Sequence, residues 1–219
     1  MKKLMTKVEQ APLFAEILPD NLEAMLQCIG YHISTYQKGE TIAFEEDNIE
    51  HVGIILSGTV DMIKEDLWGN KTTLIRMRAR ELLGETFACG SDTQSVVTFI
   101  VMEDAEILFL PFRKVMQTCR MTCMFHHRLI ENMVALIAKK NRDLMRKIEV
   151  ISKKNLREKI LAYLSLQAQS TGSRYFEIPL SRAELADYLC ADRSALSREL
   201  ANMKAAGLID YDKNMFRIF

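Results

Sequence analysis

"LCADRSALSRELANMKAAGLI", residues 189–209, decides how this chain is read. At 100° per residue from Arg193, Leu196, Leu200 and Met203 fall at about 300°, 340° and 280°, one narrow apolar stripe of a helix. Arg193, Ser194, Ser197, Arg198, Ala201 and Lys204 fill the neighbouring arc. Small residues between arginines let such a face approach base edges closely. An arginine placed there grips guanine O6 and N7 together, for about 1–3 kcal/mol of discrimination. Asp192 suits the N-cap position, because its carboxylate can accept backbone N–H bonds of the first turn. Just upstream, Ser181 and Glu184 of "SRAE" make a capping box that starts a shorter helix with Leu185 and Leu189 facing inward. Cys190 occupies the turn between the two helices, where many units of this kind place glycine. The competing reading of residues 193–205 is a solvated amphipathic helix. A capped helix and short turn before it, and a hairpin after it, favour DNA.

That hairpin is "LIDYDKNMFRIF", two β-prone runs around a polar turn at 212–214. Before the helix pair come a helix "LREKILAYLSLQAQ", ending in "STGS", and a strand "RYFEIPL". Helix, strand, helix-turn-helix and hairpin together predict a winged helix over 152–219. "ISKKN" at 151–155 reads as a hinge.

Upstream of the hinge, Ile130, Val134, Ile137, Asn141, Leu144, Ile148 and Ile151 are spaced alternately four and three apart. That is a heptad seam on a helix of roughly 26 residues, about 39 Å long. A second copy of the helix is the simplest partner for the seam, so a homodimer is expected, with Asn141 favouring one register. The alternative is packing within the chain, expected for Met133 and Leu136 on another face of the same helix.

The first half of the chain has a different texture. After a helical lead-in from residue 12 to about 27, short runs such as "HVGIIL", "TVDMI", "TTLIRM", "SVVTFIVM" and "AEILFL" alternate with turn signals "KGE", "SGT" and "WGN". Many short strands predict an antiparallel sandwich or barrel, and the chain as a whole reads as α+β.

Composition sets the outer limits. At 219 residues, 48% hydrophobic and 26% charged, the chain has the make-up of a globular protein with one or two cores. The net charge is zero but unevenly spread. Residues 1–151 hold 18 basic and 21 acidic side chains, and residues 152–219 hold 11 and 8. The basic bias peaks between Lys139 and Arg157, which permits DNA binding and equally suits a solvated helix face. No apolar run reaches the ~18 residues of a membrane span, and the N-terminus lacks the apolar core of a signal peptide. A cytoplasmic location is therefore expected, with the five cysteines as free thiols. No nucleophile elbow, P-loop, HExxH or dinucleotide fingerprint is present, so no enzyme activity is expected.

Taken together, "LSRAELADYLCADRSALSRELANMKAAGLI", "KGETIAFEED", "VGIILSGTVDMI" and "LLGETFACGSDTQSVVTFIVMEDAEILFLP" resemble the CRP/FNR family of bacterial transcription regulators over roughly residues 12–219. The resemblance implies an N-terminal double-stranded β-roll of the cyclic-nucleotide-binding type (1–124), a dimerisation helix (125–151) and a C-terminal winged helix-turn-helix (152–219). It also implies a homodimer on palindromic double-stranded DNA, a small-molecule effector, and contact with RNA polymerase where the protein activates. By the same resemblance Arg198 matches a guanine-reading arginine and Arg193 an arginine of cyclic-AMP-receptor-type members. Ser197 matches a serine of FNR-type members. Ser194 stands where both branches carry a base-reading glutamate, and Ser181, Arg182 and Lys204 complete the expected DNA contacts.

The effector cassette departs from the family. Gly84 and Glu85 match, but the phosphate-binding arginine is replaced by Gln94, followed by Ser95. Without that charge-assisted bond, cyclic AMP is not expected, and an unidentified neutral or cationic effector is. Glu85, Thr86, Gln94 and Ser95 are the candidate contacts, with Met133, Leu136 and Ile137 on the long helix as a wall. The alternative is a roll filled by its own side chains. An FNR-type iron–sulphur cluster lacks its N-terminal cysteines, since the first is Cys28. "CRMTCMFHH" leaves redox or metal regulation through Cys119 and Cys123 as a secondary reading, although no metal is expected. A regulatory module acting through protein contacts is another. His32 and His51 are single histidines in the sequence, with haem ligation as the alternative to an ordinary structural role.

Overall fold

A computed structural model of the chain describes residues 2–117 and 124–219. It divides into two compact units, residues 1–139 and 140–219. Cys119 and Cys123 lie outside the described residues.

The first unit opens with α1 (Lys2–Glu9), a 3-10 turn (Pro12–Phe14) and α2 (Pro19–Ile29). The strands β1 (His32–Tyr36), β2 (Thr41–Ala43), β3 (His51–Glu65), β4 (Lys71–Arg78), β5 (Leu82–Leu83) and β6 (Thr98–Pro111) follow, with the short helix α3 (Glu85–Ala88) before β6. All pairings are antiparallel, in the order β1-β6-β3-β4, with β2 also on β6 and β5 on β3. The antiparallel expectation holds, but the number of strands does not. "HVGIIL" and "TVDMI" are one strand of 15 residues, and "SVVTFIVM" and "AEILFL" merge into another of 14. The reason is Gly58. The "SGT" signal marks bulges where the register of β3 on β6 shifts between Ile55 and Val60, not a chain reversal. Gly58 has φ +91°, and a Cβ there would lie 2.4 Å from the Asp104 carbonyl oxygen, so only glycine passes β6 this closely.

Two cores flank this sheet. Inside the roll, Ile55, Val60, Met77, Phe99, Val101 and Ile107 are buried together. On the other side, Leu13, Phe14, Leu22 and Leu26 pack with Val52, Ile54, Leu108 and Leu110. Helix α4 (Phe112–Met116) adds Val115 to that cluster, and the long helix α5 (Met124–Ile151) adds Leu129 and Met133.

The 28-residue helix α5 is continuous, and the division between units falls inside it. In the second unit it stops at Ile151. The chain restarts as α6 (Leu156–Thr171), capped by Asn155, whose side chain accepts from the Glu158 N–H at 2.9 Å. The remaining elements are β7 (Tyr175–Glu177), α7 (Arg182–Tyr188), α8 (Arg193–Ala205), β8 (Ile209–Asp212) and β9 (Met215–Ile218). The strands form one sheet in the order β7-β9-β8. Leu196, Leu200 and Met203 of α8 are fully buried with Leu185, Leu189, Ile160, Leu164 and Phe216. Each contributes about 1.5–3 kcal/mol by leaving water, so the apolar stripe fixes which face of α8 remains outside.

Both halves of the capping box form: the Ser181 Oγ accepts from the Glu184 N–H, and the Glu184 carboxylate accepts from the Ser181 N–H. Asp192 differs from expectation. It occupies the N-cap position of α8, yet its side chain makes no capping bond. Cys190 adopts φ +51°, left-handed backbone that costs a non-glycine residue roughly 1–2 kcal/mol. Its thiol is exposed. Cys190→Gly relieves that strain and returns part of the gain as unfolded-chain entropy, so stability is expected to hold or rise by up to about 1 kcal/mol. Urea unfolding would show it as an unchanged or higher midpoint.

Candidate nucleic-acid interface and effector pocket

Burial of the leucine stripe leaves Arg193, Ser194, Ser197 and Arg198 exposed on the neighbouring face of α8. Neither arginine's guanidinium makes an ion pair or hydrogen bond among the described residues. The Ser197 hydroxyl donates back to the Arg193 carbonyl at 3.0 Å, which keeps its lone pairs outward as acceptors. Glu199 is the sole acidic residue of α8, and its carboxylate accepts from Arg157 Nε at 2.5 Å. Arg157 of α6 thus offsets a negative charge that would oppose phosphate. Nothing in the sequence marked that pair, which spans 42 residues.

Two of the residues assigned to DNA from sequence are engaged elsewhere. The Arg182 guanidinium lies 4.9 Å from the ring centroids of both Tyr211 and Phe216, and its Nη2 donates to the Lys213 carbonyl at 2.7 Å. Burial pushes its pKa down. Arg182 therefore clamps α7 against the wing. Lys204 Nζ is 2.6 Å from the Asp210 carboxylate and donates to the Tyr211 carbonyl at 3.3 Å. That pairing raises the lysine pKa and lowers that of Asp210. Lys204 holds the end of α8 to β8. Ser181 remains at the exposed start of α7, its hydroxyl used in the cap.

In the first unit, Gly84 at φ +76° turns the chain into α3 and buries Glu85, which is 2% exposed. Thr86 is exposed, with its hydroxyl 3.5 Å from Glu85 Oε1. Gln94 is also exposed, and its amide donates to the Glu46 carbonyl at 3.3 Å. Ser95 is buried and donates to the Val97 carbonyl at 2.7 Å. The polar end of Gln94 is thus used by the segment between β2 and β3, and that of Ser95 by its own loop. Phe87 meets Phe99 edge-on, with centroids 6.3 Å apart, and fills the roll beside Glu85. Met133, buried, and Leu136 and Ile137, partly buried, belong to the other cluster, which Ala88 of α3 also joins. A cavity of about 210 Å³ opens elsewhere in the unit, and none of these seven predicted residues lines it. His32 and His51, read from sequence as isolated, stand 5.3 Å apart in its wall. They meet because β1 and β3 both pair with β6, His32 opposite Phe109 and His51 opposite Pro111. Sequence spacing carries no sign of that.

Among the described residues, no group of three or more His, Cys, Asp or Glu is placed to hold a metal ion. His127 pairs with Glu131, while His126 is buried at 2% exposure with Nδ1 unpartnered. Burial pushes the His126 pKa below its ordinary value, so folding favours its neutral form. Below the unfolded-chain pKa of about 6.5, the unfolded chain takes up a proton more readily than the folded chain, and stability falls with pH. His51, lowered first by burial and then by His32, acts in the same sense. Urea midpoints at pH 7, 6 and 5 are expected to decline. His126→Leu should flatten the slope without abolishing it.

A family model for the cyclic nucleotide-binding domain matches residues 33–121, and one for the Crp-like helix-turn-helix domain matches residues 158–219. The cyclic AMP receptor protein of Thermus thermophilus is 24% identical over 200 residues, covering 91% of this chain and 88% of that protein. The transcriptional activator protein FnrL of Cereibacter sphaeroides is 25% identical over 200 residues, covering 85% and 75%. Among solved structures, OCPA-complexed CprK matches with a TM-score of 0.68 at 17% identity, covering 90% of each chain. The c-di-GMP-responsive regulator CLP of Xanthomonas campestris matches at 0.62 and 17%, covering 90% and 97%. At those identities the structural likeness is one of fold.

Proposed function

The chain belongs to the CRP/FNR family of transcription regulators, and from that premise we propose that it is a homodimer that binds palindromic DNA under the control of a small effector other than cyclic AMP. The observation that carries the reading is α8, with one face fully buried and Arg193, Ser194, Ser197 and Arg198 exposed on the other. Two such helices about 34 Å apart would enter successive major grooves, Arg198 and Arg193 reading bases.

The dimer is supported by what α5 leaves uncovered. Val134 and Ile148 are 59% and 61% exposed and Leu144 is 37% exposed, on the stripe that includes Ile130, Ile137 and Asn141. Apolar side chains at coiled-coil spacing in water favour a second copy of the helix. The proposed division is a roll to residue 124, a dimer helix over 125–151 and a DNA-binding domain over 152–219.

Glu85, Thr86, Gln94 and Ser95 remain the proposed effector contacts, without the positive charge that a cyclic phosphate requires. α3 carries Glu85 at one end and Ala88 at the other, and Ala88 shares a buried cluster with Leu129 and Met133 of α5. An effector with different affinities for two positions of α3 would shift the population of α5 arrangements, and through the dimer the reading heads. RNA polymerase is the further partner if the protein activates.

Fluorescence anisotropy of the full chain on labelled duplexes tests the function. A preference for some palindromic site over random duplex is expected, roughly 10³-fold or more, with affinity falling steeply as salt rises. Equal affinity for every duplex would overturn it. Calorimetric titration with cyclic AMP is expected to give no saturable heat, and tight binding would instead favour a cyclic-nucleotide module.

A further inference from the structure

The cavity of about 210 Å³ lies among β1, β2, the start of β3, β5 and β6. Its lining is rich in rings. Tyr36, Phe99 and Phe109 contribute, together with the imidazoles of His32 and His51. His32 stacks on Phe109, with centroids 5.0 Å apart and planes 19° apart, and meets His51 edge-on at 5.3 Å. Of the lining residues Glu50 alone is acidic, and none is lysine or arginine. The Glu50 carboxylate is near enough to act on the His51 imidazole electrostatically.

We infer that this cavity binds a small organic cation, a protonated amine carried on a single apolar or aromatic ring. The charge of the lining selects the sign, because a carboxylate with no lysine or arginine in the lining attracts an ammonium and repels a carboxylate or phosphate. Ring faces attract cations through their quadrupole, so the aromatic lining reinforces the same choice. Volume selects the size. A cavity of about 150 Å³ accommodates benzene, whereas pockets for drug-sized ligands begin near 300 Å³. A cavity of about 210 Å³ therefore takes one ring with a short substituent and is too small for a nucleotide. Burial and His32 both hold the His51 imidazole toward its neutral form, so it adds little positive charge to oppose an amine.

The site is separate from Glu85 and Gln94 but adjoins them through the chain, because Leu83 and Gly84 line it. A Cβ at Gly84 would stand 3.0 Å from Ile49 Cγ2 and 3.2 Å from the His51 carbonyl oxygen. The wall is thus in close contact with the residue that starts α3. A ligand pressing on Ile49 or His51 acts on that residue directly. Control of DNA binding by such a ligand rests on the function proposed above, whereas the binding itself does not.

Calorimetry and thermal melts of the full chain, with benzylamine, benzyl alcohol and benzoate as size-matched probes, test the inference without DNA. Benzylamine at millimolar concentration is expected to bind saturably and raise Tm, and benzoate to do neither. Glu50→Gln should weaken benzylamine at least tenfold and leave benzyl alcohol unchanged. Glu50 is exposed and, among the described residues, only its backbone carbonyl is bonded, to the Phe112 N–H at 3.1 Å, so this variant should fold normally. Ile42→Trp, which fills the cavity, should abolish binding of both. Benzoate binding as tightly as benzylamine, benzylamine binding that survives either variant, or no saturable binding of benzylamine would overturn the inference. Operator affinity, measured separately by anisotropy, reports on the function alone.

Discussion

Replacing Val134 and Ile148 together by glutamate is expected to give a folded monomer with operator affinity lowered by at least about a hundredfold. Both side chains are more than half exposed in the single chain, so their loss removes little packing within the protomer. In a dimer the same two positions place four apolar side chains in the seam. Full burial of each is worth about 1.5–3 kcal/mol, and glutamates facing one another add repulsion. A penalty of about 6–12 kcal/mol is comparable with the roughly 8 kcal/mol that holds a micromolar complex together. The effect on DNA follows because the second half-site contact is intramolecular only while the protomers are joined, and linkage of that kind is worth about 10²–10⁴ in affinity. Sedimentation velocity reads the mass, far-UV circular dichroism the fold and anisotropy the operator. A variant that stays dimeric at micromolar concentration would remove α5 as the dimer interface.

What could be read in advance follows how far apart the deciding residues lie. The Ser181–Glu184 capping box and the stripe of Leu196, Leu200 and Met203 span one to three turns of helix, and both form as expected. Asp192 shows the limit of the same logic, since residue type identified the N-cap position and said nothing about where the carboxylate turns. At Gly58, a turn-like triplet proved to be a bulge, because what matters is the Asp104 backbone of β6 46 residues on. Arg182 and Lys204 look like DNA ligands by their place in the motif. Their partners Tyr211, Phe216 and Asp210 come near only once the wing folds back on α7 and α8. His32 and His51 are brought together by β6, which neither sequence neighbourhood contains. Local chemistry was legible, and contacts closed by a third element were not.

Arg198→Ala is expected to cost specific binding heavily while leaving the fold untouched. The side chain is exposed with no partner among the described residues, so stability should move by no more than about 0.5 kcal/mol. A bidentate arginine–guanine pair is worth about 1–3 kcal/mol of discrimination. A homodimer carries the change in both half-sites, which are far enough apart to add, so the total is about 2–6 kcal/mol, or roughly 30- to 20,000-fold. The pattern of the loss separates base reading from a phosphate contact. If Arg198 reads a base, the variant loses discrimination at one base pair per half-site and its salt dependence barely changes. If it only neutralises phosphate, affinity falls evenly across sequences and the salt slope shrinks by about one per half-site. Arg198→Lys sharpens the contrast, because lysine keeps the charge and loses the planar fork. It should restore a phosphate contact and fail to restore guanine discrimination. Full rescue by lysine would move Arg198 from the bases to the backbone and leave Arg193 as the reader.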